Sequence, residues 1–155
     1  MIQDLDIGKA GEHIVIADLL LRGVKAFITD QNLPYDVVAD CGTGNLMRLQ
    51  VKTTRQIRKI SQRANPIYFF HIKRTGKKNR KVYQRNDFDG FALVALDIRE
   101  IFYLRFDERV KESSICIRDK KIDYSGHRGG GRINGLYYQD LTWEKLTKKI
   151  AEKIG

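Results

Sequence analysis

The chain has 155 residues with 29 Lys and Arg against 19 Asp and Glu, which gives a net charge of +10 at pH 7. A chain of this length is expected to form one domain, residues 1–155, and it lacks both the run of ~20 apolar residues that a membrane-spanning helix needs and a secretory leader pattern. Its two cysteines, Cys41 and Cys116, exclude a zinc quartet and a disulfide framework and favour a reduced, cytoplasmic protein.

The positive charge is concentrated in the middle of the chain. Residues 41–86 contain 13 Lys and Arg and no Asp or Glu, whereas the rest of the chain carries 16 basic and 19 acidic residues. A segment of one charge sign attracts polyanions, and nucleic acid is the leading partner. We expect no membrane partner, because the basic residues do not lie along one long amphipathic helix, and no organic cofactor.

The first predicted element is a helix over residues 6–22. Its predicted apolar stripe consists of Ala10, Ile14, Ala17 and Leu21, and Ile16, Leu19 and Leu20 widen this face. Asp4 or Asp6 is a candidate cap for its start, and Gly23 suits the position just past its end. A strand is predicted next, over residues 24–29.

A β-hairpin around Thr43 is the most informative pattern in the chain. Its two predicted strands are residues 35–40 and 46–53. Folded symmetrically about Thr43, the hairpin places residues whose numbers sum to 86 opposite each other, so that Asp36 faces Gln50. Lys52 lies two residues beyond Gln50 and points to the same face. A carboxylate, an amide and an ammonium group are therefore expected to converge within about 5–8 Å.

The rest of the chain reads mainly as strands, followed by a final helix. The predicted strands are residues 67–73, 82–84, 91–96, 101–106 and 115–118. Residues 91–96 form a continuous apolar run, which is typical of a strand buried on both faces, and residues 115–118 are expected at a sheet edge. Residues 125–135 contain five of the 13 glycines and predict a flexible loop. A C-terminal helix is predicted within residues 140–155, beginning at about Thr142, which is its cap.

The hairpin cluster has the groups that metal-assisted phosphodiester hydrolysis requires. Mg²⁺ prefers oxygen ligands, and the candidates are the Asp36 carboxylate, the Val51 backbone carbonyl and the Gln50 side chain. Lys52 is expected to lie beside the bound water or to stabilise the pentavalent phosphate. Glu12, on the first helix, is a further candidate ligand, directly or through water. On these residues alone an ordinary surface ion pair of ~0–1 kcal/mol stays an open alternative.

The order of these features resembles the PD-(D/E)xK nuclease superfamily. Residues 34–36 (Pro-Tyr-Asp) are similar to the first half of its motif with one residue inserted, and residues 50–52 (Gln-Val-Lys) to the second half, with Gln in place of the usual acid. The accessory acidic residue of the superfamily is matched by residues 11–12 (Gly-Glu). Its later core strands are similar to residues 87–104, and the start of its final helix is similar to residues 141–144. Within the superfamily, nearly the whole chain is similar to group I intron-encoded homing endonucleases.

This resemblance implies a fold, a reaction and a cofactor. The expected fold class is α/β, with a mixed α+β sheet. A first helix is followed by a mixed β-sheet flanked by helices, and residues 66–86 form a basic β-hairpin extension. The expected reaction is a metal-dependent double-strand cut at a long DNA site. The expected ion is Mg²⁺, with Mn²⁺ as a substitute, and the catalytic set comprises Glu12, Asp36, Gln50 and Lys52.

Three groups of cations are predicted to bind the DNA. A two-stranded ribbon fits the major groove, and the ribbon cations are Lys73, Arg74, Lys77, Lys78, Arg80, Lys81 and Arg85. Cations expected to follow the DNA backbone next to the site are Arg55, Arg58, Lys59 and Arg63. Arg128 and Arg132 lie in the glycine-rich segment. Two alternatives stay open for them: they enter a groove of the DNA, or they belong to a solvated loop that does not contact it.

A double-strand cut predicts more than one copy of the chain, because one cluster cuts one strand. A two-fold dimer, or a dimer of dimers, would favour a pseudo-palindromic target. Trp143, Tyr137 and Tyr138 are candidates for the subunit contact or for the core. Two other functions stay open: a Holliday-junction resolvase or repair nuclease of the same superfamily, and a non-enzymatic nucleic-acid-binding protein.

Overall fold

The chain has a mixed α+β fold, as predicted. This computed structural model describes residues 1–58, 66–72, 82–107, 109–111, 113–124 and 135–154. Along the chain its elements are α1 (Asp4–Leu21), β1 (Lys25–Ile28), β2 (Val37–Asp40), β3 (Leu46–Thr54), β4 (Tyr68–His71), β5 (Gly90–Ala95), β6 (Glu100–Arg105), β7 (Ser114–Arg118), β8 (Leu136–Tyr137), a short 3₁₀ helix (Tyr138–Asp140) and α2 (Trp143–Ile154). None of the helices in these ranges is long and apolar enough to span a bilayer.

A mixed five-stranded sheet forms the centre of the fold. Its strand order is β1-β2-β3-β5-β6. The β3–β5 pair is parallel, and the other three pairs are antiparallel. Every residue of β5 is buried, because the strand lies between two neighbours and is covered on both faces. The apolar run at residues 91–96 thus predicted this strand correctly.

The two faces of the central sheet pack against different layers. Side chains of β3 and β5 alternate between the faces, as the pleat requires. Leu49, Val51 and Ala92 share one hydrophobic core with residues of α1 and α2. Phe91 and Leu93 point to the other face, where they pack against the sheet β4-β7-β8. α1 and α2 therefore lie on one side of the central sheet, and the second sheet covers the other side.

The predicted basic hairpin has a different strand partner. β4 pairs antiparallel with β7, whereas residues 82–84 have no strand. β7 lies between β4 and β8, so the prediction of an edge strand at residues 115–118 is wrong. Tyr68 and Phe70 of β4 are buried against the central sheet, and this burial fixes the strand in the core. The ribbon tip, residues 73–81, lies outside the described residues.

α1 packs through only one edge of the predicted apolar face. Its buried residues are Gly11, Val15 and Leu19, one turn apart. Of the predicted face, Leu19 is buried and Ile16 packs against the core, whereas the exposed members are Ala10, Ile14, Ala17, Leu20 and Leu21. A Cβ on Gly11 would lie 1.9 Å from Thr53 Oγ1, so the close approach of α1 to β3 requires glycine here.

The ends of the helices partly follow the predicted signals. Gln3, rather than Asp4 or Asp6, is the N-cap of α1, and its backbone N–H donates to Asp6 Oδ2 at 3.2 Å. Gly23 follows α1 with a φ of +77°, as predicted. Thr142 caps α2, because its Oγ1 accepts a hydrogen bond from the Lys145 N–H at 3.3 Å.

Two of the aromatic residues near the C-terminus belong to the fold itself. Trp143 is 6% exposed and packs edge-on against Tyr103, with 5.2 Å between ring centroids. Tyr138 stacks on Phe102 at 5.0 Å. Of the two roles considered, the core is therefore the correct one for Trp143, because a buried indole offers no surface to a second subunit.

Candidate active site

The β2–β3 hairpin has the register that the sequence predicts. The cross-strand pairs are Val37–Leu49, Val38–Arg48, Ala39–Met47 and Asp40–Leu46, and each pair of numbers sums to 86. The turn is built from residues with positive φ, namely Gly42, Thr43 and Gly44. Asp36 precedes β2 by one residue, and its N–H donates to the Leu49 carbonyl at 2.9 Å. Because Leu49 is already the register partner of Val37, the pairing does not continue to an Asp36–Gln50 pair as the sequence predicts, although the side chains of these two residues are in contact.

The Asp36 carboxylate, the Gln50 amide and the Val51 peptide meet where β2 begins. The Val51 N–H donates to Asp36 Oδ2 at 2.8 Å. Gln50 Nε2 donates to the same Oδ2 and, at 3.2 Å, to the Val51 carbonyl. The hairpin register would place Tyr35 opposite Val51, but the Tyr35 carbonyl accepts a hydrogen bond from Thr29 Oγ1 instead, at 2.6 Å. On the β2 side the Val51 peptide is thus bonded by the Asp36 and Gln50 side chains, while Val51 stays in register with Ala92 of β5 on the other side.

Lys52 lies on the same face of β3 as Gln50, as predicted. Register with β5 places Gln50 beside Phe91 and Lys52 beside Leu93, on the face that packs against the second sheet. Lys52 Nζ donates to Tyr83 Oη at 3.3 Å and lies 5.5 Å from the centroid of that ring. Burial lowers the pKa of Lys52, and the charge of Asp36 opposes this effect.

The pKa of Asp36 depends on its burial and on the charges around it, including that of Glu12 on α1. Burial raises the pKa of Asp36 and the nearby Glu12 carboxylate raises it further, whereas the Val51 N–H and the charges of Lys52 and Lys9 lower it. The net result is a raised pKa, because burial and the Glu12 carboxylate together outweigh the Val51 N–H and the two lysines. A divalent cation at Asp36 would favour the ionised carboxylate.

Glu12 forms an ion pair with Lys9, a residue that the sequence interpretation missed. Lys9 Nζ lies 2.7 Å from Glu12 Oε2, and the Glu12 side chain is only 14% exposed. The hydrogen bond to Glu12 raises the pKa of Lys9. The signal was present in the sequence, because an Lys and a Glu three residues apart on a helix are neighbours.

The donors of the site suit a hard divalent ion. Within the described ranges, no group of three or more His, Cys, Asp or Glu side chains forms a metal cluster. The site instead offers the Asp36 carboxylate and the Val51 carbonyl, with the charge of Glu12 acting on Asp36, while Gln50 turns its amide nitrogen toward both oxygens. Asp36 Oδ2 and the Val51 carbonyl already converge on one partly positive group, Gln50 Nε2, and such an oxygen pair is a suitable donor set for Mg²⁺.

Three of the predicted DNA-binding cations lie in the described part of the chain. Arg55 follows β3 and lies 3.7 Å from Asp4, in an exposed pair of little strength. The guanidinium groups of Arg58 and Arg85 lie over aromatic rings, 4.5 and 4.8 Å from the centroids. The other predicted cations lie outside the described residues: Lys59, Arg63, Lys73, Arg74, Lys77, Lys78, Arg80, Lys81, Arg128 and Arg132.

Comparisons with known proteins agree with this architecture. The structure is similar to that of a bacterial homing endonuclease, I-Ssp6803I, with a TM-score of 0.70, 20% sequence identity and coverage of 99% of each chain. At this identity the likeness establishes a common fold. A comparison with curated proteins finds no match. The profile of the PD-(D/E)XK endonuclease family matches residues 2–127, which include the whole hairpin site and α1. The chain therefore belongs to the PD-(D/E)XK endonuclease family.

Proposed function

We propose that the protein is a Mg²⁺-dependent endodeoxyribonuclease that cuts both strands of DNA at a long, pseudo-palindromic target, in the manner of an intron homing endonuclease. The observation that carries the proposal is the convergence of the Asp36 carboxylate, the Gln50 amide and the Val51 peptide, with Lys52 on the same face. Membership of an endonuclease family supports the nuclease activity. The acid-free segment at residues 41–86 supports DNA as the substrate.

Four residues would hold the ion in this proposal. Asp36 and Glu12 provide charge, and the Val51 carbonyl and the Gln50 side chain provide neutral oxygens. The raised pKa of Asp36 supports this set, since its causes, burial and a neighbouring carboxylate, are the conditions that a cation relieves. When bound, a divalent ion neutralises charge on the phosphate and makes a water molecule easier to deprotonate.

Lys52 stabilises the negative charge that builds on the phosphate oxygens. Its ammonium group is partly removed from water, which strengthens its interaction with an anion. Asp36 keeps its orientation through the Val51 N–H, a donor fixed by the backbone of β3. The hairpin thus provides both the anionic and the cationic part of the site on one rigid element.

The cations near the site position the DNA backbone. Arg58 and Arg85 lie over aromatic rings, and no carboxylate among the described residues forms an ion pair with either of them. Their charge is thus available to phosphates, which contact the protein without specifying sequence. A homo-oligomer, either a dimer or a dimer of dimers, brings two such sites to the two strands.

The experiment combines cleavage of a randomised duplex library with measurement of DNA affinity. Wild-type protein with Mg²⁺ is expected to cut both strands at one recurring sequence, and chelation of the metal should stop cleavage. Asp36→Asn and Lys52→Met should lower the cleavage rate at least ~100-fold with little loss of affinity. Lys25→Met, an exposed lysine on β1, is the matched control. DNA binding without metal-dependent cleavage would contradict the proposal and favour a non-enzymatic binding protein.

A further inference from the structure

The ammonium group of Lys52 has an anchor outside the β2–β3 hairpin. A lysine side chain is long and flexible, so its charge acts at a fixed point only when another group holds it. Lys52 Nζ donates to Tyr83 Oη at 3.3 Å and also lies near the face of that ring, 5.5 Å from its centroid. Tyr83 is 31 residues further along the chain, just after the basic segment 73–81.

Tyr83 is itself fixed by an aromatic cluster of the core. Its ring packs edge-on against Phe88, with 5.1 Å between centroids. Phe88 is 1% exposed and contacts both Phe91, at 4.9 Å, and Phe106, at 4.6 Å. Phe91 is the β5 residue in register with Gln50. The cluster therefore connects Tyr83 rigidly to the strand that adjoins the site.

This anchor determines which partner the Lys52 charge meets. Asp36 acts on Lys52 electrostatically, but the ion pairs of the described residues do not include a contact between the two side chains. If Lys52 formed a direct ion pair with Asp36, it would neutralise the carboxylate that binds the ion. Its ammonium group would then be unable to bind a phosphate oxygen.

We propose that Tyr83 is a positioning residue for Lys52: its hydroxyl and ring hold the ammonium group away from Asp36 and ready for a phosphate oxygen. This inference rests on the proposed function, because it assigns Lys52 to the phosphate.

The first test needs no DNA and no metal. Side-chain ¹⁵N relaxation of Lys52 Nζ is measured in the full chain, as wild type and as Tyr83→Phe, which keeps the ring but removes the hydroxyl. We expect a lower order parameter and faster proton exchange with water in Tyr83→Phe, with unchanged thermal unfolding. Tyr138→Phe, whose ring stacks on Phe102, is the matched control. Equal order of Lys52 in wild type and Tyr83→Phe would overturn the inference.

The second test separates positioning from binding. In single-turnover cleavage of the target found in the library, Tyr83→Phe should be ~10-fold slower with an unchanged dissociation constant for DNA. In a Lys52→Met background the same change should have no further effect, because the two residues act as a unit. An unchanged rate, or an equal loss without Lys52, would overturn the inference. If wild type cuts no DNA, the proposed function fails, and the relaxation measurement still decides the role of Tyr83.

Discussion

The Gln50 side-chain amide donates a hydrogen bond to the carboxylate of Asp36, the residue just before β2, and a second one to the Val51 carbonyl. An acid at position 50, as the family name implies, would place a second carboxylate beside Asp36. The neutral glutamine avoids that repulsion and ties both candidate metal ligands together without an ion. Its cost is one negative charge fewer for binding the cation.

Gln50→Glu should therefore lower the stability of the metal-free protein and raise its affinity for the metal ion. Without metal, loss of the hydrogen bond to Asp36 and like-charge repulsion should lower the free energy of unfolding by ~1–3 kcal/mol. Affinity for Mn²⁺, measured by titration calorimetry, should rise at least ~10-fold. Gln56→Glu, an exposed glutamine, is the control for the added charge. A variant as stable as wild type that binds Mn²⁺ no more tightly would contradict the assigned role of Gln50.

Asp36→Asn should stabilise the metal-free protein at neutral pH. Burial raises the pKa of Asp36 above its unfolded value, so the protonated form is favoured by folding. Its contribution to stability is thus complete at low pH and is lost as the pH rises through the folded pKa. Both hydrogen bonds at Asp36 go to one oxygen, which asparagine retains.

The measurement is urea unfolding of wild type and Asp36→Asn across that pH range in the presence of chelator. The variant should gain stability over wild type as the pH rises, although it no longer cuts DNA. A variant that is less stable than wild type at neutral pH would show that the carboxylate is not strained by its surroundings.

Gly11→Ala should separate α1 from β3. The added Cβ would meet Thr53 Oγ1 at 1.9 Å, and overpacking of this kind costs about 1–3 kcal/mol. Gly8→Ala is the matched control, because a Cβ there has nothing within 4 Å and alanine favours the helix. Thermal unfolding of both variants tests this prediction. Thr53→Ala should restore part of the loss in Gly11→Ala, and equal stability of the two glycine variants would refute the close contact.

The salt dependence of DNA binding should show how many phosphate contacts the cations near the site make. If about six phosphates are neutralised, the slope of log affinity against log salt is roughly −5. Replacing both Arg58 and Arg85 by Gln should reduce its magnitude by about 2. Arg22→Gln is the control, since Arg22 already pairs with Asp18 and Glu144 at 2.9 and 2.6 Å. Fluorescence anisotropy at several salt concentrations measures the slope, and a slope near zero would remove the electrostatic argument for DNA.

The features that local patterns determine were predictable from the sequence. The Gly-Thr-Gly turn fixed the register of the hairpin and hence the meeting of Asp36 with Gln50. The continuous apolar run likewise predicted the buried strand β5. In both cases neighbouring residues carry all the necessary information.

The features that depend on distant contacts were not predictable. α1 has large apolar residues on several sides, and the approach of Gly11 to Thr53 decides which side is buried. Periodicity does not say that β4 pairs with β7, because their partners are more than 40 residues apart. The contact of Lys52 with Tyr83 depends in the same way on how the chain returns to the hairpin.

The central claim is that the hairpin site hydrolyses DNA with a divalent ion. The most direct measurement is the rate of double-strand cleavage of the selected target by wild type and Lys52→Met, at saturating protein and with Mg²⁺ or chelator. We predict cleavage by wild type only when Mg²⁺ is present and a rate at least ~100-fold lower for Lys52→Met at equal DNA occupancy. Cleavage by the two proteins at the same rate, or cleavage that persists in chelator, would contradict the account.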